Sequence, residues 1–133
     1  MSEQNVELLH QAIDAFNRRE LDAYLALHDS SVEFTPYERA IEGVGPYCGH
    51  DGVRTWWKEA LEALPDLNSE LYEVRTLGEF TVGRGRLRGT GAGSGASFDR
   101  QLWLVNQWRD GKVVWWYAFE SEAQALQAVG LRE

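Results

Sequence analysis

Few side chains in this sequence combine the residue type and spacing that acid–base, nucleophilic or metal chemistry requires. Cys48 and His50 lie two residues apart and could form a thiol–imidazole pair, but we identify no third group that would orient the imidazole. The three histidines, His10, His28 and His50, fall on separate predicted elements, and no two have the spacing of metal ligands. We therefore expect neither a metal site nor a cofactor.

Two further motifs suggest anion binding. Arg84, Arg86 and Arg88 alternate along one face of a predicted strand. They could hold a carboxylate, or form a solvated face that balances nearby acids. Arg88, nearest the end of the hairpin, remains a candidate ligand contact. Residues 89–96 contain a G-x-G-x-x-A match, but they continue into a predicted strand, whereas a dinucleotide fingerprint must open a helix. This segment is predicted to be a hairpin loop.

Three segments in the first half have the periodicity of helices. The first carries apolar residues at three- and four-residue spacing from Val6 to Phe16, and a shorter one spans 21–28. The third runs from Val53 to Leu64, starts at His50–Asp51 and is stopped by Pro65. Each of these helices has an apolar face that must pack against another apolar surface.

Strand patterns dominate the second half and supply that surface. We predict an early strand at 31–36 and four long strands at 67–77, 79–88, 98–109 and 112–119. Asp110–Gly111 is a strong hairpin signal between the last two strands. A closing helix is predicted at 122–129, ended by Gly130. This order predicts an α+β fold in which helices pack on one face of a curved sheet.

The chain length and the net charge limit the number of domains and the classes of partner. The chain has 133 residues, which fits a single domain spanning 1–133. Its net charge of −8 argues against nucleic acid and anionic membranes as partners, because both attract positive charge. The polar N-terminus does not resemble a signal peptide, and no apolar segment is long enough to span a membrane, so we expect a cytoplasmic protein.

Four local motifs together resemble a known family. They are FNRRELD at 16–22, YCGHDGVRTWW at 47–57, RDGKV at 109–113 and ALQAVGL at 125–131. In order and spacing they resemble the nuclear transport factor 2-like superfamily and, within it, the SnoaL-like proteins. The resemblance implies a cystatin-like cone, in which a strongly curved antiparallel sheet wraps around three N-terminal helices. It also implies an apolar pocket at the open end and frequent dimers, but no single activity.

This sequence has only some of the catalytic residues that enzymes of the superfamily use. Ketosteroid isomerases use a tyrosine and a carboxylate whose positions align near Ala12 and Phe34, and neither side chain can move a proton. Hydrolysis in the manner of limonene epoxide hydrolases needs a carboxylate on the last strand, and 113–119 carries none. SnoaL-like cyclases need only an acid–base group in an aromatic pocket. Asp99 and His50 are the groups available here, and burial among aromatics would raise the pKa of a carboxyl.

Aromatic residues indicate where a pocket would lie. The chain has six tryptophans, and both faces of the segment 113–119 are apolar. Alternation puts Val113, Trp115, Tyr117 and Phe119 on one face and Trp116 on the other, and the sequence leaves open which face lines the pocket. The predicted ligand contacts are Tyr37, Trp57, Arg88, Trp103, Trp115 and Tyr117.

The second apolar face of the last strand requires a cover, because a solvated sheet face should carry polar residues. In a short chain we expect the cover to be a second copy, and hence a homodimer through the outer sheet face. The leading hypothesis is a SnoaL-like protein that binds a small hydrophobic or aromatic molecule and performs an acid–base step on it. The alternatives are a non-catalytic ligand-binding or dimeric interaction module, and protein binding through the open sheet face.

Overall fold

The α+β prediction is confirmed. A computed structural model of the protein describes residues 2–133, which form five helices and six strands. The helices are α1 (Ser2–Asn17), α2 (Leu21–Ala26), α3 (Tyr37–Glu42), α4 (Gly49–Ala63) and α5 (Glu122–Arg132). The strands are β1 (His28–Thr35), β2 (Tyr47–Cys48), β3 (Asn68–Leu77), β4 (Phe80–Thr90), β5 (Ser97–Arg109) and β6 (Lys112–Phe119). The sequence analysis missed the short α3 and β2, and it placed His28 at the end of a helix rather than in β1.

One six-stranded sheet runs in the order β2-β1-β6-β5-β4-β3. The expected antiparallel sheet is present at every pairing except that of β1 with β6, which are parallel. The β5–β6 hairpin fixes the direction of β6, and β6 then lies between β5 and the early strand β1. Segment 91–96 joins β4 to β5 as the predicted hairpin loop.

The β5–β6 turn and a bulge decide which aromatic residues face inward. Asp110 and Gly111 both have positive φ, 52° and 75°, as a type I′ hairpin turn requires. Between the pairs Gln107–Trp115 and Trp108–Val113 the register shifts, which leaves an extra residue on β6. Val113 therefore faces the helices, which corrects its predicted placement on the face of Trp115. From Trp115 to Phe119 the predicted alternation holds.

The two faces of the sheet have different covers. Helices α1, α2 and α4 pack on the inner face, where Leu9, Phe16 and Trp56 join Phe34 and Trp108 in the main core. Helix α5 packs on the outer face. None of the helices in residues 2–133 is long and apolar enough to cross a membrane.

Helix α5 covers part of the outer sheet face, for which the sequence predicts a second copy of the chain as the cover. Ala125 and Val129 pack against an outer cluster that includes Val105 and Trp115. The guanidinium of Arg132 lies 4.1 Å from the centre of the Trp115 ring, and its Nη2 donates to Oε1 of Gln107 at 2.8 Å. The chain thus supplies a cover for Trp115 itself, and the homodimer stays a prediction.

Gly85 allows β3 to approach β4 closely. A Cβ atom at this position would lie 2.4 Å from the backbone oxygen of Glu70, next to the bulge in β3. We expect Gly85→Ala to lower the free energy of unfolding by about 1–3 kcal/mol, because the backbone must shift. Gly93→Ala is the matched control, since a Cβ there meets no atom within 4 Å and its cost should stay within about 0.5 kcal/mol. Urea denaturation measures both, and equal stability of the two variants would contradict the steric argument.

Candidate functional site

A cavity of about 420 Å³ lies between the inner sheet face and helices α1, α2 and α4. This volume is within the range of small-molecule sites in proteins. Aromatic and aliphatic side chains from both layers form most of the wall, including Phe16, Tyr24, Trp56, Leu102, Leu104 and Trp116. Phe34 lies behind Trp116, with the two rings stacked at 4.2 Å between centroids. The aromatic wall is therefore supported by a second aromatic layer.

The charged residues of the wall lie at its exposed rim. Glu38 and Glu59 are exposed, and so is Arg86, whose guanidinium pairs with Asp99 on the outer face. The hydroxyl of Tyr47 donates to Oε1 of Glu59 at 2.9 Å. Partial burial and this neighbouring carboxylate raise the pKa of Tyr47. In the described residues, the buried part of the wall holds no carboxylate, lysine or arginine.

Asn106 is the most unusual polar group of the buried wall. Its side chain is 2 % exposed, and its Oδ1 atom has no hydrogen-bond partner within residues 2–133. On the neighbouring strand β4, the hydroxyl oxygen of Thr81 accepts from Nε1 of Trp108 at 2.9 Å. A buried acceptor without a donor costs free energy, so Asn106 is a polar group that the fold retains at the expense of stability.

His28 places an imidazole in the same wall. Its Nδ1 lies 2.7 Å from the backbone oxygen of Tyr24. Because a carbonyl can only accept, Nδ1 carries the proton, and Nε2 of the neutral ring is left with its lone pair. The pKa of His28 is lowered from 6.5 to about 4, mainly because burial disfavours the charged ring; the hydrogen bond to Tyr24 opposes this effect, and the charge of nearby His50 adds to it. The ring is therefore neutral at pH 7.

Tyr24 adds a phenol next to this imidazole. The two ring centroids are 4.6 Å apart, because α2 ends and β1 begins between these residues. Burial raises the pKa of Tyr24, so the phenol stays protonated and can donate a hydrogen bond. The buried wall thus includes the neutral polar groups of Asn106, His28 and Tyr24 beside its apolar surface.

Two of the predicted site residues lie at or near the cavity. Tyr37 lines it, and its hydroxyl accepts from Nε of Arg100 at 3.2 Å. His50 lies in the first turn of α4, where its Nε2 donates to the backbone oxygen of His28 at 2.7 Å. His50 is outside the cavity wall and contacts the backbone of a residue that belongs to it.

The other predicted residues lie elsewhere. Asp99 and Arg88 are on the outer face, where Asp99 pairs with Arg86 at 2.7 Å and Arg88 pairs with Glu70. Trp57 packs in the core against Phe16, with ring centroids 5.3 Å apart. The remaining three face or flank α5 rather than the cavity: Trp103, Trp115 and Tyr117. Cross-strand register explains these positions, because residues paired across a ladder share a face.

Sequence reasoning missed Tyr24, His28 and Asn106. It left open whether the face of Trp115 or that of Trp116 lines the pocket, and the bulge and the β1 pairing place Trp116 on the inner face. Asn106 did leave a signal, since it and Gln107 are two polar residues in a strand segment, 102–108, that is otherwise apolar. His28 left little signal in the sequence, because its place in the wall depends on where α2 ends and β1 begins.

A family profile described as "SnoaL-like domain" matches residues 9–116. The chain belongs to the SnoaL-like family. No curated protein matches it. The matched part of this SnoaL-like chain contains the cavity-lining residues Tyr24, His28, Asn106 and Trp116.

Solved structures share the fold of this SnoaL-like protein at low sequence identity. An NTF2-like protein of unknown function from Burkholderia pseudomallei has 24% identity and a TM-score of 0.77, over 93% of this chain and 95% of that one. TerC, co-crystallised with polyporic acid, has 18% identity and a TM-score of 0.75, over 96% and 98%. A protein described as a SnoaL-like polyketide cyclase, from Jannaschia sp. CCS1, has 19% identity and a TM-score of 0.74, over 95% and 90%. These likenesses confirm the NTF2-like, cystatin-like fold.

The neutral state of His28 makes stability depend on pH. Between pH 6.5 and about 4 the unfolded chain binds a proton at this imidazole, whereas the folded protein does not. Stability must therefore fall as the pH is lowered through this window. From pH 7 to about pH 4.5, we expect the wild type to lose about 2–3 kcal/mol more than His28→Phe. Urea denaturation at both pH values measures the difference, and equal losses would show that His28 does not titrate in this way.

Proposed function

We propose that this protein binds a small hydrophobic or aromatic molecule in the cavity of the inner sheet face. The observation that carries this proposal is the cavity of about 420 Å³ with an aromatic wall and its charges at the rim. Apolar surface exposed to water in a cavity is costly, and a ligand of matching chemistry removes that cost. Membership in the SnoaL-like family supports the proposal. So does the co-crystallisation of TerC with polyporic acid.

A cavity-filling variant tests whether binding occurs at this place. Ala12 is buried and lies in the cavity wall on α1, so the larger side chain of Ala12→Leu would fill part of the cavity. With tetralin, camphor and 2-tetralone as probes, we expect isothermal titration calorimetry to detect binding by the wild type. The variant should bind at least about tenfold more weakly.

The matched control makes the same substitution away from the cavity. Ala23→Leu on the exposed side of α2 should bind the probes as the wild type does. Circular dichroism establishes that both variants remain folded. Absence of binding by the wild type to all three probes would overturn the proposal, and equal binding by Ala12→Leu would place the site elsewhere.

Acid–base catalysis on the bound molecule is the second candidate function. It is favoured by the His28–Tyr24 pair, in which a neutral imidazole with a free Nε2 lies beside a protonated phenol. Neither Asp99 nor His50 lines the cavity, so His28 takes the place that the sequence analysis gave to them. Nε2 would accept a proton from an acidic C–H next to a carbonyl, leaving an enolate and an imidazolium, and the proton would return in the reverse step.

Hydrogen exchange tests this step without knowledge of the natural substrate. In D₂O, the α-protons of 2-tetralone should exchange faster with the wild type than in buffer alone, as measured by the loss of their NMR signals. His28→Phe should abolish the acceleration, because it removes the proton acceptor, while calorimetry follows whether 2-tetralone still binds. If the wild type binds 2-tetralone without accelerating exchange, the protein is a binder and this second candidate fails.

A further inference from the structure

His28 lies at the start of β1, where the sheet gives its backbone little support. On one side, β6 pairs with His28 through Val113, and the ladder then shifts register before it resumes at Glu33. On the other side, β2 pairs with β1 only at Glu33 and Phe34. Residues 28–32 therefore have no strand partner on the β2 side, and another element must hold this part of β1.

Helix α4 supplies that support. Nε2 of His50, in the first turn of α4, lies 2.7 Å from the backbone oxygen of His28. Since a carbonyl oxygen only accepts, this nitrogen carries a proton and donates it. One residue earlier, Gly49 has a φ of +69°, and a Cβ atom there would lie 3.0 Å from the backbone oxygen of Ser30. The start of α4 thus packs directly against the start of β1, and His50 adds a hydrogen bond to that packing.

The position of His28 decides which nitrogen of its own ring carries a proton. Nδ1 donates to the backbone oxygen of Tyr24 at 2.7 Å, and the same oxygen accepts from the amide of Leu27 at 3.2 Å. A displacement of His28 would lengthen the bond from Nδ1, and the neutral ring would then be free to carry its proton on Nε2 instead. The cavity would in that case meet a hydrogen-bond donor in place of a base.

Nε2 of His28 is open to the cavity. It makes no hydrogen bond within residues 2–133, and the only enclosed side-chain nitrogen or oxygen without a partner in that range is Oδ1 of Asn106. An unpaired Nε2 must therefore keep some accessible surface, and the cavity is the space that His28 lines. The tautomer of His28 consequently decides what a bound molecule meets at this point of the wall.

We propose that His50 is a positioning residue, which holds the backbone of His28 so that the imidazole keeps its proton on Nδ1 and presents Nε2 as a base. This inference rests on the proposed acid–base function and adds to it the residue that sets the state of the base. His50 does not line the cavity, so it acts through His28 and not on the bound molecule. The role requires a hydrogen-bond donor at the place of Nε2 and no other property of an imidazole.

Three substitutions at this position separate the hydrogen bond from the bulk of the ring. His50→Leu removes the donor. His50→Gln keeps an amide nitrogen that reaches about as far from the backbone as ring Nε2 does, whereas the amide of His50→Asn is shorter by one carbon and does not reach. His10→Leu is the matched control, because it makes the first substitution at an exposed histidine of α1.

NMR spectra of the imidazole nitrogens at pH 7 report the tautomer directly. We expect His28 to carry its proton on Nδ1 in the wild type, in His50→Gln and in His10→Leu. In His50→Leu and His50→Asn, the signals of the two ring nitrogens of His28 should move toward each other, as two tautomers in exchange require. This measurement needs no substrate, and a loss of global stability alone would not change it.

Hydrogen exchange of 2-tetralone in D₂O measures the consequence for the proposed reaction. At saturating 2-tetralone, His50→Leu and His50→Asn should accelerate exchange at least about tenfold less than the wild type, because the base is displaced, and His50→Gln should stay within about threefold. Calorimetry should give every variant a Kd for 2-tetralone within about twofold of the wild-type value, because His50 lies outside the cavity wall.

The outcomes separate this inference from the proposed function. If the wild type does not bind 2-tetralone, or binds it without accelerating exchange, the acid–base candidate fails, and the NMR comparison still decides whether His50 positions His28. An unchanged tautomer in His50→Leu and His50→Asn would overturn the inference. So would a His50→Gln variant that resembles them, since the donor would then not be what holds His28. A changed tautomer with an unchanged exchange rate would show that another group is the base.

Discussion

The register between β5 and β6 is the constraint on which the cavity depends. Asp110 and Gly111, both at positive φ, connect the strands by a tight turn. Pairing from that turn places Asn106 opposite Trp116 on the inner face and Gln107 opposite Trp115 on the outer face. Because side chains alternate, a slip of one residue would exchange these sets, burying Gln107 among the helices and leaving Asn106 under α5. The same register places Trp115 beneath Arg132 and so determines where the last helix packs.

Much of the fold could be predicted from the sequence because its signals are local. Helical periodicity in α1 and α4, the Asp110–Gly111 turn and the long alternating strands each depend on a few neighbouring residues. The site could not be predicted to the same extent. Its residues come from helices α1 to α4 and from all six strands, and their meeting depends on two register shifts and on the parallel pairing of β1 with β6. A bulge changes the face of every residue beyond it, and a single sequence contains no signal for the one at Val114.

Placing polar groups in this cavity has a cost that the rest of the fold must offset. The unpaired acceptor of Asn106 lowers stability, and so does an imidazole that must remain neutral where the unfolded chain would be charged. Three other polar side chains, by contrast, are paired: Thr81 with Trp108, Asn17 with the backbone of Ser69, and Gln107 with Arg132. This contrast separates the cavity from the structural core, since packing alone would favour leucine at position 106.

The burial of the polar groups in the cavity wall connects the two proposed functions. The superfamily positions that carry acid–base groups in ketosteroid isomerases align near Ala12 and Phe34, so this chain has no carboxylate there, and the imidazole of His28 is the basic group in the buried wall. Burial keeps that imidazole neutral, and the same burial excludes charged ligands from the wall. A neutral Nε2 can accept a hydrogen bond from a hydroxyl or a proton from an acidic carbon, and the acidity of the bound molecule decides between them. The proposed binding and the proposed catalysis therefore both depend on the same uncharged environment around His28.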